Sequence, residues 1–262
     1  MISLSQTQNE TVDGLARVGL IAKGVVYVAL GALAFMAAFE FAGHNENEAN
    51  RAGVFQWLKE TGGSWLLIVI AAGLVCYCIW RYVQAFTNFG GGEKTAKRLR
   101  YFFSGLAYTS VAFTAGQLGL QSGKQGSNNE HWTSQLMSQP MGQILALIAA
   151  LILAAIGIYQ IWYSLSGNYR KHVQNIMRSG NSTLLLRTGK IGYIARGIVW
   201  LILAYLLGRA AMNNNASEAG DTSKAFQLVE GTFGSYLLGA IGLGLLAYGI
   251  FNFVRAKYER LG

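Results

Sequence analysis

Residues 16–34 read ARVGLIAKGVVYVALGALA, and residues 189–207 read GKIGYIARGIVWLILAYLL. A shift of 173 positions brings matching residues into register: Gly19 with Gly192, Ala22 with Ala195, Lys23 with Arg196, Gly24 with Gly197, and Tyr27 with Trp200. Self-similarity at a fixed spacing indicates an internal repeat, and this repeat decides the architecture of the chain.

A third and more diverged copy lies between these two stretches. A shift of 81 positions aligns Gly105 and Tyr108 with the glycine and tyrosine of the first copy, while Ser104 replaces the lysine. The stretch that follows each outer copy repeats as well, with FQWLK beginning at Phe55 and AFQLV at Ala225. Each of these short stretches is either a helix lying at the membrane interface or a loop helix packed on the bundle.

The composition is that of a membrane protein. Of 262 residues, 52% are hydrophobic and 13% are charged, whereas soluble domains are about 25% charged. Intrinsic disorder is excluded by the same low charge, and a single proline argues against an all-β chain with many turns. A spanning helix needs about 20 mostly apolar residues. Six segments meet this requirement: Leu15–Phe41, Ser64–Thr87, Leu99–Leu120, Met141–Ser166, Gly189–Met212 and Gly234–Ala256.

The sequence therefore predicts an all-α, polytopic membrane protein whose six transmembrane helices form three tandem helix hairpins. A cytoplasmic segment, residues 1–14, precedes repeat 1 (15–92), repeat 2 (93–170) and repeat 3 (171–262), which ends in a basic cytoplasmic tail. Because each repeat has two spans, all three repeats point the same way across the membrane. We therefore expect parallel repeats around a pseudo-threefold axis along the membrane normal, not inverted repeats.

The basic residues predict the orientation. Of 21 Lys and Arg residues, 13 lie at the start of the first span, in or beside the second and fourth connections, and in or beside the tail, whereas 4 fall in the other connections. By the positive-inside rule, both termini of this multi-pass protein are cytoplasmic, at the cell (inner) membrane. The net charge of +9 then reflects topology and anionic lipid head groups, and no nucleic-acid partner is expected.

A family resemblance rests on the stretches ARVGLIAKGVVY and GKIGYIARGIVW, together with AYGIFNFVRA beginning at Ala247. These residues resemble a bacterial integral membrane family of unknown function, in which a two-helix unit occurs three times per chain. The resemblance covers Leu15 to Ala256, but repeat 2 lacks the Ala–basic–Gly core and has Phe103-Ser104-Gly105 instead. It implies a fold and a location, and it implies no activity.

Polar residues inside the spans are the functional candidates. They are Lys23, Arg196, Arg81, Gln160 and Asn252, with the aromatic residues Tyr27 and Trp200. Lys23 and Arg196 hold equivalent repeat positions, and each has an aromatic residue four positions later, where a cation–π contact can form. Arg81, Gln160 and Asn252 share a second repeat position and predict a polar layer near the cytoplasmic end.

Two interpretations of these residues stay open. In the first, the long basic side chains snorkel to the head groups and anchor the protein in the lipid. In the second, they form a shared polar cavity or a site for an anionic head group.

Motifs of catalysis and cofactor binding do not stand out in the sequence. It contains no GxSxG, HExxH or Walker A pattern, and no Asp or Glu lies deep in a span. The three histidines, His44, His131 and His172, lack the spacing of metal ligands, so we expect no metal, no cofactor and no enzymatic activity. Cys76 and Cys78 are too close for a CxxC motif and are expected to serve membrane packing.

The leading functional hypothesis is a non-enzymatic integral membrane protein with a structural, accessory or lipid-interacting role. The alternative is a small channel or transporter for an anionic solute or lipid, since pores lined by Lys or Arg favour anions. The expected partners are the lipid bilayer and anionic phospholipid head groups, with a membrane protein or a second copy of the chain as a further candidate.

Overall fold

The computed structural model describes residues 6–40, 51–87, 95–120, 141–170, 182–213, 215, 218–219 and 222–259. These residues form helices and no strand, as predicted. The helices are α1 (Gln6–Ala38), α2 (Arg51–Gly62), α3 (Ser64–Phe86), α4 (Thr95–Leu120), α5 (Gly142–Leu165), α6 (Ser182–Met212), α7 (Thr222–Phe233) and α8 (Ser235–Tyr258).

Five of these helices are long and apolar enough to cross a membrane. They are α1 over Glu10–Ala38, α3, α5, α6 over Leu185–Met212, and α8. The predicted third span forms α4, a helix of 26 residues. Its serine, threonine, tyrosine and glutamine residues make it less apolar than the other five. The structure therefore supports five of the six predicted spans and leaves α4 as a more polar helix.

The two short helices, α2 and α7, pack on the long ones. Phe55 of α2 and Phe226 of α7 are fully buried, so these stretches are loop helices packed on the bundle and not free interfacial helices. Each is followed by a glycine with positive φ, Gly63 at 79° and Gly234 at 81°. Glycine adopts this conformation at little cost, and the resulting sharp turn starts the next long helix.

The six long helices form a ring through contacts between repeats. The second long helix of each repeat packs against the first of the next: α3 against α4, α5 against α6, and α8 against α1. One repeat position, occupied by glycine, lies at all three contacts. A Cβ added to Gly105 would lie 2.9 Å from the Tyr82 ring, and one on Gly197 would lie 2.7 Å from Ile161. Gly24 meets Phe253 in the same way.

Contacts within repeats are less uniform. The helices α1 and α3 pack against each other in repeat 1, and α6 and α8 do so in repeat 3. Close approach depends on glycine there, since a Cβ on Gly19 would lie 2.6 Å from the Tyr77 Cα and one on Gly192 would lie 2.5 Å from the Tyr248 Cα. Small residues let helix backbones approach in this way.

Repeat 2 does not close, and its sequence explains why. Within the described residues, α4 and α5 do not pack against each other along their length. The position of Gly19 is taken by Arg100, and the position of Ala22 by Phe103. Ala22 is 7% exposed and Ala195 is 6% exposed, whereas Phe103 is 56% exposed. Bulky side chains at the contact positions therefore hold the two helices apart.

The same difference appears on α5. The position of the small residues Gly73 and Gly244 is occupied by Ile152, and the position of Tyr77 by Ile156. Both isoleucines are exposed, whereas Tyr77 is buried. We call the gap bordered by Arg100, Phe103, Ile152 and Ile156 the repeat 2 slot. A hydrogen bond of 2.9 Å crosses it, from the Arg100 guanidinium to the Tyr159 hydroxyl.

Candidate functional site

Lys23 lies in the interior of the ring and not at its lipid-facing surface. It is 3% exposed, and its Nζ donates a hydrogen bond of 3.2 Å to the Tyr77 hydroxyl. The same Nζ lies 4.8 Å from the ring centres of Tyr77 and Tyr108 and 5.6 Å from that of Tyr248. The snorkelling interpretation is therefore wrong for Lys23, which is held by tyrosines from three helices.

Arg196, the equivalent of Lys23 in repeat 3, makes the equivalent contacts. It donates a hydrogen bond to the Tyr248 hydroxyl, and its guanidinium carbon lies 4.9 Å from the Tyr248 ring and 5.4 Å from the Tyr27 ring. Each cation thus contacts a tyrosine on the second long helix of its own repeat and a tyrosine on the first helix of the next repeat. The equivalence of repeats 1 and 3 therefore extends to these individual contacts.

The third equivalent of this arrangement is not charged. Repeat alignment places Ser104 where Lys23 and Arg196 stand, Ile156 in place of the second-helix tyrosine, and Trp200 in place of the first-helix tyrosine. This explains why Trp200, a predicted site residue, has no described cation–π partner. The uncharged third corner lies at the repeat 2 slot.

Arg81 joins the cluster through a shared hydroxyl. Its Nε donates a hydrogen bond of 2.9 Å to the Tyr77 hydroxyl, and its Nη1 donates one of 2.8 Å to Gln84. The guanidinium carbon also lies 4.3 Å from the Trp80 ring. The Tyr77 hydroxyl therefore accepts hydrogen bonds from two cations, Lys23 and Arg81.

The tyrosines contact one another. The Tyr108 hydroxyl donates to the Tyr27 hydroxyl at 3.3 Å. The rings of Tyr27 and Tyr248 are 4.7 Å apart in an edge-to-face arrangement, as are those of Tyr77 and Tyr108. We refer to these side chains as the cation–tyrosine cluster, whose members are Lys23, Arg81, Arg196, Tyr27, Tyr77, Tyr108 and Tyr248.

The predicted cation–π contacts at i,i+4 are not the ones that form. Lys23 faces tyrosines on other helices and not Tyr27, and Arg196 faces Tyr27 and not Trp200. The reason is the close approach of α1 and α3 at Gly19 and Tyr77, one turn before the lysine. This approach brings a ring from the neighbouring helix within reach of the ammonium group.

The predicted polar layer is not joined by contacts. Asn252 is fully buried, and its amide nitrogen donates to the Tyr248 backbone carbonyl at 2.7 Å. Gln160 is buried on α5. Among the described residues, no hydrogen bond links either amide to Arg81, and the side-chain oxygens of both amides are buried without a partner. Arg81 therefore belongs to the cation–tyrosine cluster instead.

Sequence reasoning missed three members of the cluster. Tyr77, Tyr108 and Tyr248 are not among the site residues predicted from the sequence, although the sequence contains a signal for them. Tyr108 aligns with Tyr27, and Tyr77 aligns with Tyr248, when the repeats are superimposed.

The charge of the cluster is not neutralised within the part of the chain that the structure describes. The partners of Lys23, Arg81 and Arg196 there are phenol hydroxyls, aromatic rings and one amide, and none is a carboxylate. The Nε of Arg196 is buried with no acceptor. In contrast, the buried Arg255 is paired with Glu259 at 2.7 Å. Buried donors ordinarily have acceptors, so this arrangement is suited to an anion.

Metal chemistry finds no support in the described residues. They contain no group of three or more His, Cys, Asp or Glu side chains placed to hold a metal ion. The three histidines lie outside the described residues. Cys76 and Cys78 are free thiols on α3, and Cys78 is buried.

Comparison with known proteins gives a family and one relative. The family described as Domain of Unknown Function (DUF1206) matches the chain three times, at residues 18–88, 99–167 and 191–259. The chain is also similar to the uncharacterized protein YxxB of Bacillus subtilis (strain 168), with 27% identity over all of this chain and 96% of the relative. No solved structure gives a significant match.

Proposed function

The chain belongs to the DUF1206 family, and from this premise we propose that it is a non-enzymatic integral membrane protein that binds an anionic group inside its helix ring. The proposal places all six long helices across the bacterial inner membrane, with both termini in the cytoplasm. Of the structural, accessory and lipid-interacting roles that the sequence favours, the proposal takes the lipid-interacting one.

The observation that carries the proposal is the buried positive charge of the cation–tyrosine cluster. Lys23 lies inside the ring and is 3% exposed. In the part of the chain that the structure describes, no carboxylate pairs with the charge of Lys23, Arg81 or Arg196. Burying an unpaired charge is costly unless a counter-charge or hydrogen bonds compensate. Cation–π contacts offset part of that cost, about 2 kcal/mol each where water is excluded.

The chemistry of the donors favours a phosphate-type anion. Guanidinium groups match the planar or tetrahedral oxygens of carboxylates and phosphates, and an ammonium group binds phosphate as a point charge. The buried Nε of Arg196 supplies a donor without an acceptor. The cluster thus offers two guanidinium groups and one ammonium group to a ligand of this class.

A test compares two variants with a matched control. The purified protein in phosphatidylcholine nanodiscs is titrated with dioleoyl phosphatidylglycerol and, separately, with inorganic phosphate, and binding is read by native mass spectrometry and by thermal shift. Lys23→Met and Arg196→Gln each remove one cation of the cluster. Lys190→Gln removes one from the same helix as Arg196, at a residue exposed outside the ring.

The proposal expects at least one probe to bind to the wild type. A lost charged hydrogen bond of about 1.5–3 kcal/mol corresponds to about ten- to a hundredfold weaker binding in the two cluster variants. Binding to the control should match the wild type. If the control loses as much affinity as the cluster variants, the attraction is a general surface effect and the proposed site is wrong.

The alternative of a channel or transporter is favoured by one feature, the position of the cluster in the centre of the ring. It predicts flux of an anion or lipid across proteoliposomes that disappears in the double variant Lys23→Met with Arg196→Gln. Binding without flux supports the proposed role and contradicts transport.

A further inference from the structure

The repeat 2 slot and the cation–tyrosine cluster are parts of one feature. The cluster has two charged corners, at Lys23 and Arg196, and its third corner, at Ser104, carries no charge. This third corner belongs to the only repeat whose two long helices are held apart among the described residues. Among the described residues, the gap in the ring therefore lies where the cluster lacks its own charged side chain.

Three of the four residues that border the slot are apolar, and the cations of the cluster lie beyond it inside the ring. Phe103, Ile152 and Ile156 are all exposed, and the shallow surface of α4 beside Phe103 is mostly apolar, with Leu106 and Phe113 next to Thr109 and Ser110. This is the polarity of an amphiphile, with a negative head towards the ring and hydrocarbon towards the bilayer. A soluble anion would gain nothing from these walls.

The mouth of the slot has its own cation. Arg100 lies one turn before Phe103, near the start of α4, and donates to the Tyr159 hydroxyl across the gap at 2.9 Å. Both residues lie towards the end of the bundle that carries the chain termini, where the chain places most of its basic residues. A guanidinium favours anionic head groups through its charge, so Arg100 gives the mouth of the slot the same charge preference as the cluster.

We infer that an anionic phospholipid enters the ring sideways from the bilayer through the repeat 2 slot, with its phosphate at the cation–tyrosine cluster and an acyl chain between Phe103 and Ile152. The inference rests on the proposed function, and it adds the ligand class and the route. The hydrogen bond between Arg100 and Tyr159 closes the mouth of the slot and opens when the head group passes.

The test blocks the slot reversibly in folded protein. In a background with Cys76→Ala and Cys78→Ala, the pair Phe103→Cys and Ile152→Cys is bridged by a bifunctional methanethiosulfonate reagent and released by reductant. The control bridge uses Ile191→Cys and Ile250→Cys, which are exposed on the closed repeat 3. Binding of dioleoyl phosphatidylglycerol and of inorganic phosphate is measured before bridging, after bridging and after release.

The inference expects phosphatidylglycerol binding to fall at least tenfold on bridging the slot, to return on release, and to be unaffected by the control bridge. Lipid binding that needs Lys23 but ignores the slot bridge overturns the route and leaves the anion site standing. If inorganic phosphate binds with the same affinity as the lipid, whether or not the slot is bridged, only the lipid assignment is overturned. If neither probe shows binding that depends on Lys23, the proposed function is overturned as well.

Discussion

Repeats 1 and 3 close their two long helices on each other, whereas repeat 2 holds its pair apart. At the contact positions, repeat 2 has Arg100 and Phe103 in place of a glycine and an alanine, and Ile152 and Ile156 in place of a glycine and a tyrosine. The contacts between repeats are nevertheless alike in all three places. The ring is therefore built by contacts between repeats, and one hairpin can open while the ring persists.

The largest expected effect is at the glycines that close repeats 1 and 3. Gly19→Ala or Gly192→Ala places a methyl group against the backbone of the facing tyrosine, and backbone cannot yield as a side chain can. We expect each variant to lose about 2–3 kcal/mol of unfolding free energy, measured by unfolding in mixed detergent and SDS micelles. At the equivalent position of repeat 2, Arg100→Ala adds no atom and removes only the hydrogen bond to Tyr159, so it should lose much less. An equal loss in all three variants would contradict the argument from close backbone approach.

A smaller and uniform effect is expected at the contacts between repeats. Gly24→Ala, Gly105→Ala and Gly197→Ala each push a methyl group against a side chain, at Phe253, Tyr82 and Ile161 respectively. Because a side chain can shift, we expect each variant to lose about 1–2 kcal/mol in the same unfolding assay. A loss at only one of the three would contradict the threefold character of these contacts.

The next prediction concerns the cluster that the closed repeats supply. Lys23→Met removes a buried charge while keeping a long side chain in the same space. The unliganded protein should be as stable as the wild type or about 1 kcal/mol more stable, as read by its apparent melting temperature without anionic lipid. A large loss of stability would mean that the lysine serves to hold the helices together and that the cluster is not a binding site.

The smallest effect is expected at the ends of the ring helices. Arg17 donates to the Ala256 carbonyl at 2.6 Å, and its repeat equivalent Arg98 donates to the Ala85 carbonyl at 2.8 Å. A cation at a helix C-terminus contributes about 0.3–1 kcal/mol to stability. Arg17→Gln and Arg98→Gln should therefore each lower the free energy of unfolding by that amount. In repeat 3 the third contact runs instead from Ser164 to the Lys190 carbonyl, so Lys190→Gln should change nothing in the unfolding assay.

Much of this architecture follows from the sequence. The alignment of Gly19 with Gly192 predicts three similar units, and the apolar stretches predict the long helices. The departure of repeat 2 is visible at Phe103, where the Ala–basic–Gly core is lost. Its consequence, an open hairpin, needed the structure, because an alignment does not show which residues of two helices face each other.

The position of Lys23 could not be read from the sequence for a physical reason. In a soluble protein, the buried face of a helix is apolar and the exposed face is polar. In a membrane, the lipid-facing surface is as apolar as the core, so periodicity does not tell whether a lysine points inward or outward. The tyrosines that surround Lys23 come from α3, α4 and α8, and only the packing of the ring brings them together.

The central claim is that repeat 2 is open while repeats 1 and 3 are closed. Distances between pairs of spin labels, measured by double electron–electron resonance, test it most directly. Each pair joins the two long helices of one repeat, at equivalent positions that are all exposed: Val18 with Ile79, Leu99 with Ile158, and Ile191 with Ile250. In a background without Cys76 and Cys78, the distances in repeats 1 and 3 should agree, and the distance in repeat 2 should be longer. Three equal distances would contradict the account.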